Sequence, residues 1–270
     1  MKRIKAFAVH VLGITEMRGS MGLLTLFLMA MAGLTLGVTT PAAWAAEFSE
    51  AELFFELNDT DGDLGIHASI DGGPYTRLGI DDPKGRTILL TTASGRLAKQ
   101  GLTQYFLESA EPPFDELPPE VFFSRFPEGE YEIEGRSLKG EEFGATVELS
   151  HVLAAPVDNI KVNGDDAAEN CDSDPLPVVD ANEPVTINWD PVEESHPEIG
   201  ESGEVDIVRY QFFVEQGDLK FSVDLPPSVT VFEVPLSITA LGGTFKFEII
   251  ARTATGNNTA IENCFIVEQP

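Results

Sequence analysis

The stretch from residue 58 to residue 65 is the part of the sequence whose residue types and spacing could do chemistry. Its aspartates, Asp59, Asp61 and Asp63, stand at alternating positions beside glycines. Calcium binds six to eight hard oxygen ligands, and alternate carboxylates in one loop are a way to supply them. We therefore predict a Ca2+ site made by these three carboxylates and the Gly65 carbonyl, with a further carboxylate from elsewhere in the fold.

The pattern departs from that of an EF-hand loop at two positions. Leu64 replaces the glycine of the sixth place, and Ile70 replaces the bidentate glutamate of the twelfth. The flanking residues alternate as strands do, so the stretch is not an EF-hand. The other interpretation is a solvated acidic turn, because Asn, Asp and Gly are common turn formers. The sequence leaves both interpretations open.

Catalytic signatures are missing from the rest of the sequence. Beyond residue 45 the histidines are His67, His151 and His196, and none belongs to a helical metal-binding motif. No Gly-x-Ser-x-Gly elbow or Ser-x-x-Lys pair occurs. We therefore expect no enzyme. The alternative is a secreted hydrolase or a carbohydrate-active accessory module that uses acidic residues of the first domain, since so many carboxylates guarantee chance pairs of the glycosidase type.

The segments that flank the acidic stretch alternate apolar and polar side chains, as strands with one buried face do. Residues 52–57 and 66–70 predict a hairpin whose tip is Asp61-Gly62, a favoured turn dipeptide. Asp71-Gly72-Gly73-Pro74 is expected to break the second strand. Further strands are predicted at 75–80, 87–92, 103–109, 127–135 and 145–151.

One segment of the first half has a helical pattern instead. Pro118 and Pro119 suit a first helical turn, and Phe122, Phe123 and Phe126 share one helical face. We expect these rings to pack on the sheet rather than to form an exposed binding platform, because each buries a large area.

The first 45 residues have the pattern of a signal peptide. Basic residues precede an apolar run at 21–38, and Ala43-Trp44-Ala45 suits cleavage before Ala46. Translation from Met17 would give a shorter leader, and the alternative to cleavage is an uncleaved membrane anchor. We expect a secreted, periplasmic or cell-envelope protein that has no membrane insertion after cleavage.

Cleavage would leave a strongly acidic chain. It removes four of the 17 basic and one of the 45 acidic residues, so 13 basic and 44 acidic residues remain, a net charge of −31. Phosphate backbones and anionic lipid surfaces repel such a chain, which excludes nucleic acid as an expected partner. An unidentified protein or carbohydrate is the expected partner.

Cys171 and Cys264 are the two cysteines of the sequence. In an exported protein they favour a disulfide over a metal pair, because no second cysteine pair or nearby histidine completes a zinc site.

The second half resembles a fibronectin type III domain from about residue 183 to the end. Val185-Thr186-Ile187-Asn188-Trp189 is similar to the second strand of that family, and residues 207–214 to the strand with the core tyrosine, here Tyr210. Residues 229–235, 245–251 and 261–267 are similar to three later strands, with Thr255-Gly256-Asn257 at the turn into the last. The resemblance implies a seven-stranded antiparallel sandwich, and it supports this fold without identifying an adhesion partner.

Phe245 departs from the family pattern, which usually has a tyrosine there whose hydroxyl bonds back to the corner. The first half has only a general likeness to exported bacterial β-domains of unassigned function, and this likeness assigns no residue roles.

The sequence thus predicts an all-β protein of two β-sandwich-like domains, the second fibronectin type III/immunoglobulin-like, with one short helix in the first. The expected organisation is a signal peptide at 1–45, a first domain at 46–155, a strand and linker at 156–182, and a second domain at 183–270. The expected function is that of a secreted, non-catalytic binding or structural protein, stabilised by calcium if the acidic stretch binds it.

Overall fold

A computed structural model describes residues 47–268 of the chain. The signal peptide expected at residues 1–45 lies outside the described residues. The described residues belong to one compact unit and are mostly strands, which confirms the all-β prediction. Its strands are β1 (Glu50–Asn58), β2 (Asp63–Asp81), β3 (Thr87–Thr92), β4 (Leu102–Glu108), β5 (Gly129–Ser137), β6 (Glu142–Leu149), β7 (Lys161–Val162), β8 (Asp165–Asp166), β9 (Val178–Asp180), β10 (Val185–Asn188), β11 (Ile207–Gln216), β12 (Leu219–Leu225), β13 (Val231–Val234), β14 (Gly243–Thr253) and β15 (Asn258–Glu268).

Between residues 47 and 268, three short helices interrupt these strands: α1 (Gly95–Gln100), α2 (Pro119–Arg125) and α3 (Leu236–Thr239). Helix α2 is the one that the sequence predicts, and its Phe122 and Phe123 are buried against the sheet as expected. Helix α1 was not predicted, and none of its residues is buried. It therefore lacks the apolar face that makes a helix visible in a sequence.

Strands β1 and β2 form the predicted hairpin, paired from Glu50 with Asp71 to Asn58 with Asp63. The expected break at residues 71–74 is wrong, because β2 continues through it to Asp81. The pairing of β2 with β4 shifts between Asp71 and Tyr75. Extra residues in one strand make a bulge that bends it, so the glycines and proline here bend β2 rather than end it.

Because of the bend, β2 contributes side chains to two parts of the first hydrophobic core. Its first part pairs with β1 and β4, and its second part pairs with β5 and β3. The residues buried between these strands and α2 are large and apolar. The fully buried ones include Phe55, Leu57, Ile70, Tyr75, Leu78, Tyr131 and Ile133.

The second half is a two-sheet sandwich. One sheet has the order β12-β11-β14-β15, and the other has the order β13-β10-β7-β8. Both contribute to a second hydrophobic core, where Trp189 lies 5.5 Å from Tyr210 and Phe245 stacks on Phe265, measured between ring centroids. Each strand quoted for the fibronectin type III resemblance lies in one of these sheets. β9 pairs in parallel with β15, so the sandwich is not the purely antiparallel one that the resemblance implies.

A continuous sheet connects the two halves. β1 pairs with β15 in parallel from Glu56 with Asn258 to Asn58 with Ala260, which makes one 11-stranded sheet. The two hydrophobic cores lie within the sequence limits expected for the two domains, apart from a few residues. The domain boundaries themselves stay a prediction.

The side chain of Asn257 is fully buried and forms hydrogen bonds between the two halves. Its Oδ1 accepts a hydrogen bond from the Phe55 N–H (2.9 Å). Its Nδ2 donates to the carbonyls of Ser150 (2.8 Å) and Val152 (3.0 Å). One amide thus satisfies three backbone groups of the first half, which a turn residue at the surface would not do.

Cys171 and Cys264 form a disulfide across 93 positions of sequence. It fixes the segment between β8 and β9 to β15, the last strand of the second sandwich. On the chain-entropy model a closed loop of this length contributes up to about 4–5 kcal/mol to stability.

Replacing Asn257 by alanine should lower the free energy of unfolding by at least about 3 kcal/mol, because each buried polar group left unpaired costs about 1–3 kcal/mol. Chemical denaturation followed by circular dichroism measures this change. The matched control is Asn263→Leu on β15. Asn263 is also buried, but its Oδ1 has no hydrogen-bond partner among residues 47–268. This control should be neutral or stabilising, and equal losses for both variants would contradict the role given to Asn257.

Candidate functional site

The tip of the β1–β2 hairpin is held by the side chain of Asn58. Its Oδ1 accepts hydrogen bonds from the N–H groups of Thr60 (3.1 Å) and Asp61 (3.2 Å). Gly62 follows with a φ of +66°, which glycine adopts without strain. Hydrogen bonds among its own residues and the Gly62 conformation therefore define the turn.

Asp59 points to a histidine from the second half of the chain. Its Oδ1 lies 2.9 Å from Nε2 of His196. Nδ1 of His196 accepts hydrogen bonds from the N–H groups of Glu198 (3.1 Å) and Ile199 (2.9 Å). Because Nδ1 accepts, Nε2 carries the proton and donates it to Asp59. This predicted ligand is thus used to hold residues 196–199 against the hairpin.

Asp61 and Asp63 have different surroundings from Asp59. Asp61 accepts a hydrogen bond from Nδ2 of Asn58 (3.3 Å) and is exposed. Asp63 lies half-buried at the start of β2, near acidic residues of other strands and loops. Burial and the negative charges of Glu111, Asp61, Glu262 and Glu56, in that order, raise the pKa of Asp63 to about 6.

We call this group the acidic face; it comprises Glu56, Asp63, Glu111, Glu248 and Glu262. Glu248 on β14 stands directly opposite Glu262 on β15, so two like charges are cross-strand neighbours. Burial, then the charges of Glu262 and Glu56, raise the pKa of Glu248 to about 7. Lys246 offsets part of this repulsion through an ion pair of 2.8 Å with Glu262.

Glu111 reaches the acidic face by lying over Gly65. A Cβ atom on Gly65 would come within 2.0 Å of Glu111 Oε1, so only glycine leaves room for this carboxylate. Oε1 also accepts a hydrogen bond from Nε2 of His67 (2.7 Å). Burial lowers the pKa of His67, but the hydrogen bond to Glu111 and the charges of Glu56 and Glu111 outweigh it and raise the pKa.

The structure therefore separates the predicted ligands. Asp63 and Gly65 belong to the acidic face, Asp59 binds His196, and Asp61 binds Asn58. Glu111, Glu248 and Glu262 were missed, because they are remote in sequence and only strand pairing brings them together. The Ca2+ site made by Asp59, Asp61, Asp63 and Gly65 stays a prediction.

A tighter group of ligand atoms lies elsewhere in the described range. One ligand atom each from Glu128, His151 and Glu201 lie within 4.8 Å of one another, and no other such group of three His, Cys, Asp or Glu residues occurs between residues 47 and 268. The sequence offered no signal for it, since the three residues are far apart and belong to no motif.

The basic residues are also unevenly placed. Residues 83–107 contain no Asp or Glu and four basic residues, in a chain that is otherwise strongly acidic. Lys84, Arg86, Arg96 and Lys99 are all exposed. This segment contains β3, α1 and β4 up to Leu107, and we call it the basic edge.

Within residues 47–268 both strands of the basic edge pair only with β2, so each has one side without a partner strand in this range. Several large apolar side chains are exposed here: Ile88 (40%), Leu90 (55%), Leu97 (49%) and Phe106 (60%). The basic edge therefore offers free backbone groups, apolar side chains and positive charge together. None of the helices in residues 47–268 has the length and apolarity that crossing a membrane requires.

No protein-family model matches the chain, and no curated protein matches it. Solved structures that match this chain in a structural comparison include a two-domain fibronectin type III segment of chicken tenascin (14% identity, 82% of this chain, 99% of that chain, TM-score 0.28). Another is the FN1–FN3 segment of chicken CNTN1 (9% identity, 83% and 67%, TM-score 0.31). A third is a Ca2+-stabilised ice-binding adhesin of an Antarctic bacterium (12% identity, 82% and 50%, TM-score 0.26). Likenesses of this size carry no argument about function.

The acidic face should make the protein less stable as the pH rises. The pKa values of Asp63 and Glu248 are about 6 and 7 when folded, against ordinary values of 3.8 and 4.5. The folded protein therefore binds these protons more tightly, and the free energy of unfolding falls between about pH 4 and pH 7. Asp63→Asn and Glu248→Gln should each flatten this fall and stabilise the protein at pH 8.

Urea denaturation at several pH values measures this slope. The control is Glu130→Gln, an exposed glutamate of β5 outside the acidic face, which should leave the slope unchanged. A slope that is the same in wild type and in both acidic-face variants would contradict the prediction.

Proposed function

We propose that this protein is an exported, non-catalytic binding protein that uses the basic edge to hold an acidic, extended polypeptide segment. The observation that carries the proposal is the composition of residues 83–107, where unpaired strand sides, exposed apolar side chains and positive charge coincide. An edge strand with free N–H and C=O groups binds another strand by backbone hydrogen bonds, and its side chains select the sequence.

Charge complementarity selects an acidic partner. Lys84, Arg96 and Lys99 form no ion pair with any residue in the described part of the chain, so their charges are available to a partner. Arg86 alone is paired, with Asp82. The rest of the molecule is acidic and repels an acidic segment, which directs such a segment to the basic edge.

The continuous sheet supports a binding role. An edge that must accept another strand needs a fixed backbone, because ordering it on binding would cost affinity. β2, to which both edge strands pair, is itself paired to β1 and β5. The Cys171–Cys264 disulfide is consistent with export, since disulfides persist in oxidising compartments.

Calcium stabilisation is a separate part of the proposal, and it rests on the carboxylates around Asp63. If Ca2+ binds there, calorimetric titration of the metal-free exported form should show heat that Asp63→Asn abolishes. Asp218→Asn is the control, because Asp218 is an exposed turn aspartate of the β11–β12 hairpin. Identical null traces for wild type and Asp63→Asn at millimolar calcium would end this part.

The binding proposal predicts that a labelled peptide in which glutamates alternate with valines binds the exported form. Arg96→Glu/Lys99→Glu should weaken this binding at least about tenfold, which corresponds to about 1.4 kcal/mol. Fluorescence anisotropy at fixed salt measures it. Lys139→Glu/Lys220→Glu is the control, because it changes the net charge equally at exposed residues outside the basic edge.

Two results would overturn the proposal. One is equal weakening by both double variants, since this would show that net charge alone controls binding. The other is absence of binding to the wild type. Ile88→Ser/Leu90→Ser tests the apolar contribution, and it should also weaken binding because both side chains are exposed on β3.

A further inference from the structure

The Glu128, His151 and Glu201 group lies in a surface cleft at one end of the first hydrophobic core. Its three members come from three places in the chain: the turn before β5, the segment after β6, and the long loop before β11. Residues that line the cleft also include Glu120 and Glu198, and none of the lining residues is Lys or Arg. The negative charge here is therefore not neutralised by the cleft itself.

The imidazole of His151 is fixed in one orientation. Its ring lies 4.5 Å from Phe123 and 5.7 Å from Phe55, measured between centroids. Nε2 lies 2.8 Å from the carbonyl oxygen of Phe126. A carbonyl only accepts hydrogen bonds, so Nε2 carries the proton and Nδ1 keeps its lone pair. A histidine that donates one ring N–H to a backbone carbonyl is oriented as metal-ligating histidines are.

The carboxylate of Glu128 is also held in place. Its Oε1 accepts hydrogen bonds from the His151 N–H (2.6 Å) and the Ser150 hydroxyl (3.2 Å). These bonds occupy Oε1 and leave Oε2 for another ligand. Glu128 thus offers an oxygen beside the imidazole without a large loss of side-chain freedom.

Glu201 is brought to the group by its own backbone. Its N–H donates to the carbonyl of His151 (2.9 Å). Gly200 precedes it with a φ of +80°, and a Cβ there would come within 2.2 Å of the same carbonyl oxygen. Only glycine permits this close approach, so the loop is built to lie against His151.

We propose that Glu128, His151 and Glu201 bind a divalent transition-metal ion, with zinc as the best match. Imidazole nitrogen with carboxylate oxygen suits zinc, whereas calcium and magnesium prefer oxygen alone. Zinc bonds of about 2.0–2.2 Å place tetrahedral ligand atoms about 3.4 Å apart. Rotation of the exposed Glu201 side chain would bring its carboxylate from the present spacing, within 4.8 Å, to this distance.

The ion would have three protein ligands and water as the fourth. It would fix the loop that carries Glu201 to the first hydrophobic core. Metal binding of this kind stabilises the folded state, since the unfolded chain does not hold the three ligands together. This site is separate from the basic edge and from the acidic face, so the metal-binding proposal and the proposed function are tested independently.

The test is calorimetric titration of the metal-free, tag-free exported form with zinc chloride. The wild type should bind one zinc ion per chain, and Glu201→Gln should weaken binding at least about tenfold, because even the loss of residues that only hydrogen-bond to metal ligands weakens metal binding about 10–100-fold. Glu201 is exposed, and its backbone hydrogen bond survives the substitution, so the variant should fold normally. Glu198→Gln, in the same cleft but outside the group, should bind zinc as the wild type does.

Two further measurements distinguish specific zinc binding at this site from nonspecific binding of zinc to exposed carboxylates. Zinc should raise the melting temperature of the wild type and of Glu198→Gln but not that of Glu201→Gln. Nitrogen NMR should show zinc shifting Nδ1 of His151 while Nε2 keeps its proton. The proposal is overturned if the wild type binds no zinc at millimolar concentration, if the two glutamine variants bind equally, or if Nδ1 does not shift.

Discussion

The side chain of Asn257 is the contact on which the arrangement of the two halves depends. It is fully buried, and it pairs with the N–H of Phe55 and the carbonyls of Ser150 and Val152. The parallel pairing of β1 with β15 begins next to it. Buried backbone groups must find partners, so this amide specifies how the strands of the two halves meet. This junction therefore determines how surface groups on one half lie relative to those on the other.

The loop before β11 forms a second connection between the halves. His196 donates to Asp59 at the hairpin tip, and the N–H of Glu201 donates to the carbonyl of His151. Between them, Ile199 packs against the first hydrophobic core. This long acidic loop therefore packs against the first half rather than extending freely into solvent. The side chain of His196 and the backbone carbonyl of His151 hold it in place.

Negative and positive charges are concentrated on different parts of this protein, and the strongly negative net charge does not reveal this separation. The acidic face collects carboxylates from several strands, and their mutual repulsion with burial raises the pKa values of Asp63 and Glu248. The basic edge at residues 83–107 has the opposite sign. A field of this kind orients a charged partner before contact. The acidic face costs stability at neutral pH, which the two hydrophobic cores and the disulfide must offset.

The sequence by itself determined the local elements. Alternation gave the β1–β2 hairpin and the sandwich strands, and Pro119 with the phenylalanine spacing gave α2, because these signals depend on neighbouring residues alone. It also placed Cys171 and Cys264 together, since no other cysteines compete. Only the tertiary structure decided the rest. It bends β2 at Gly72-Gly73, buries Asn257, separates Asp59 from Asp63, and brings Glu128, His151 and Glu201 together. These features depend on strand pairing and loop packing between residues far apart in the chain, and local periodicity carries no record of such pairings.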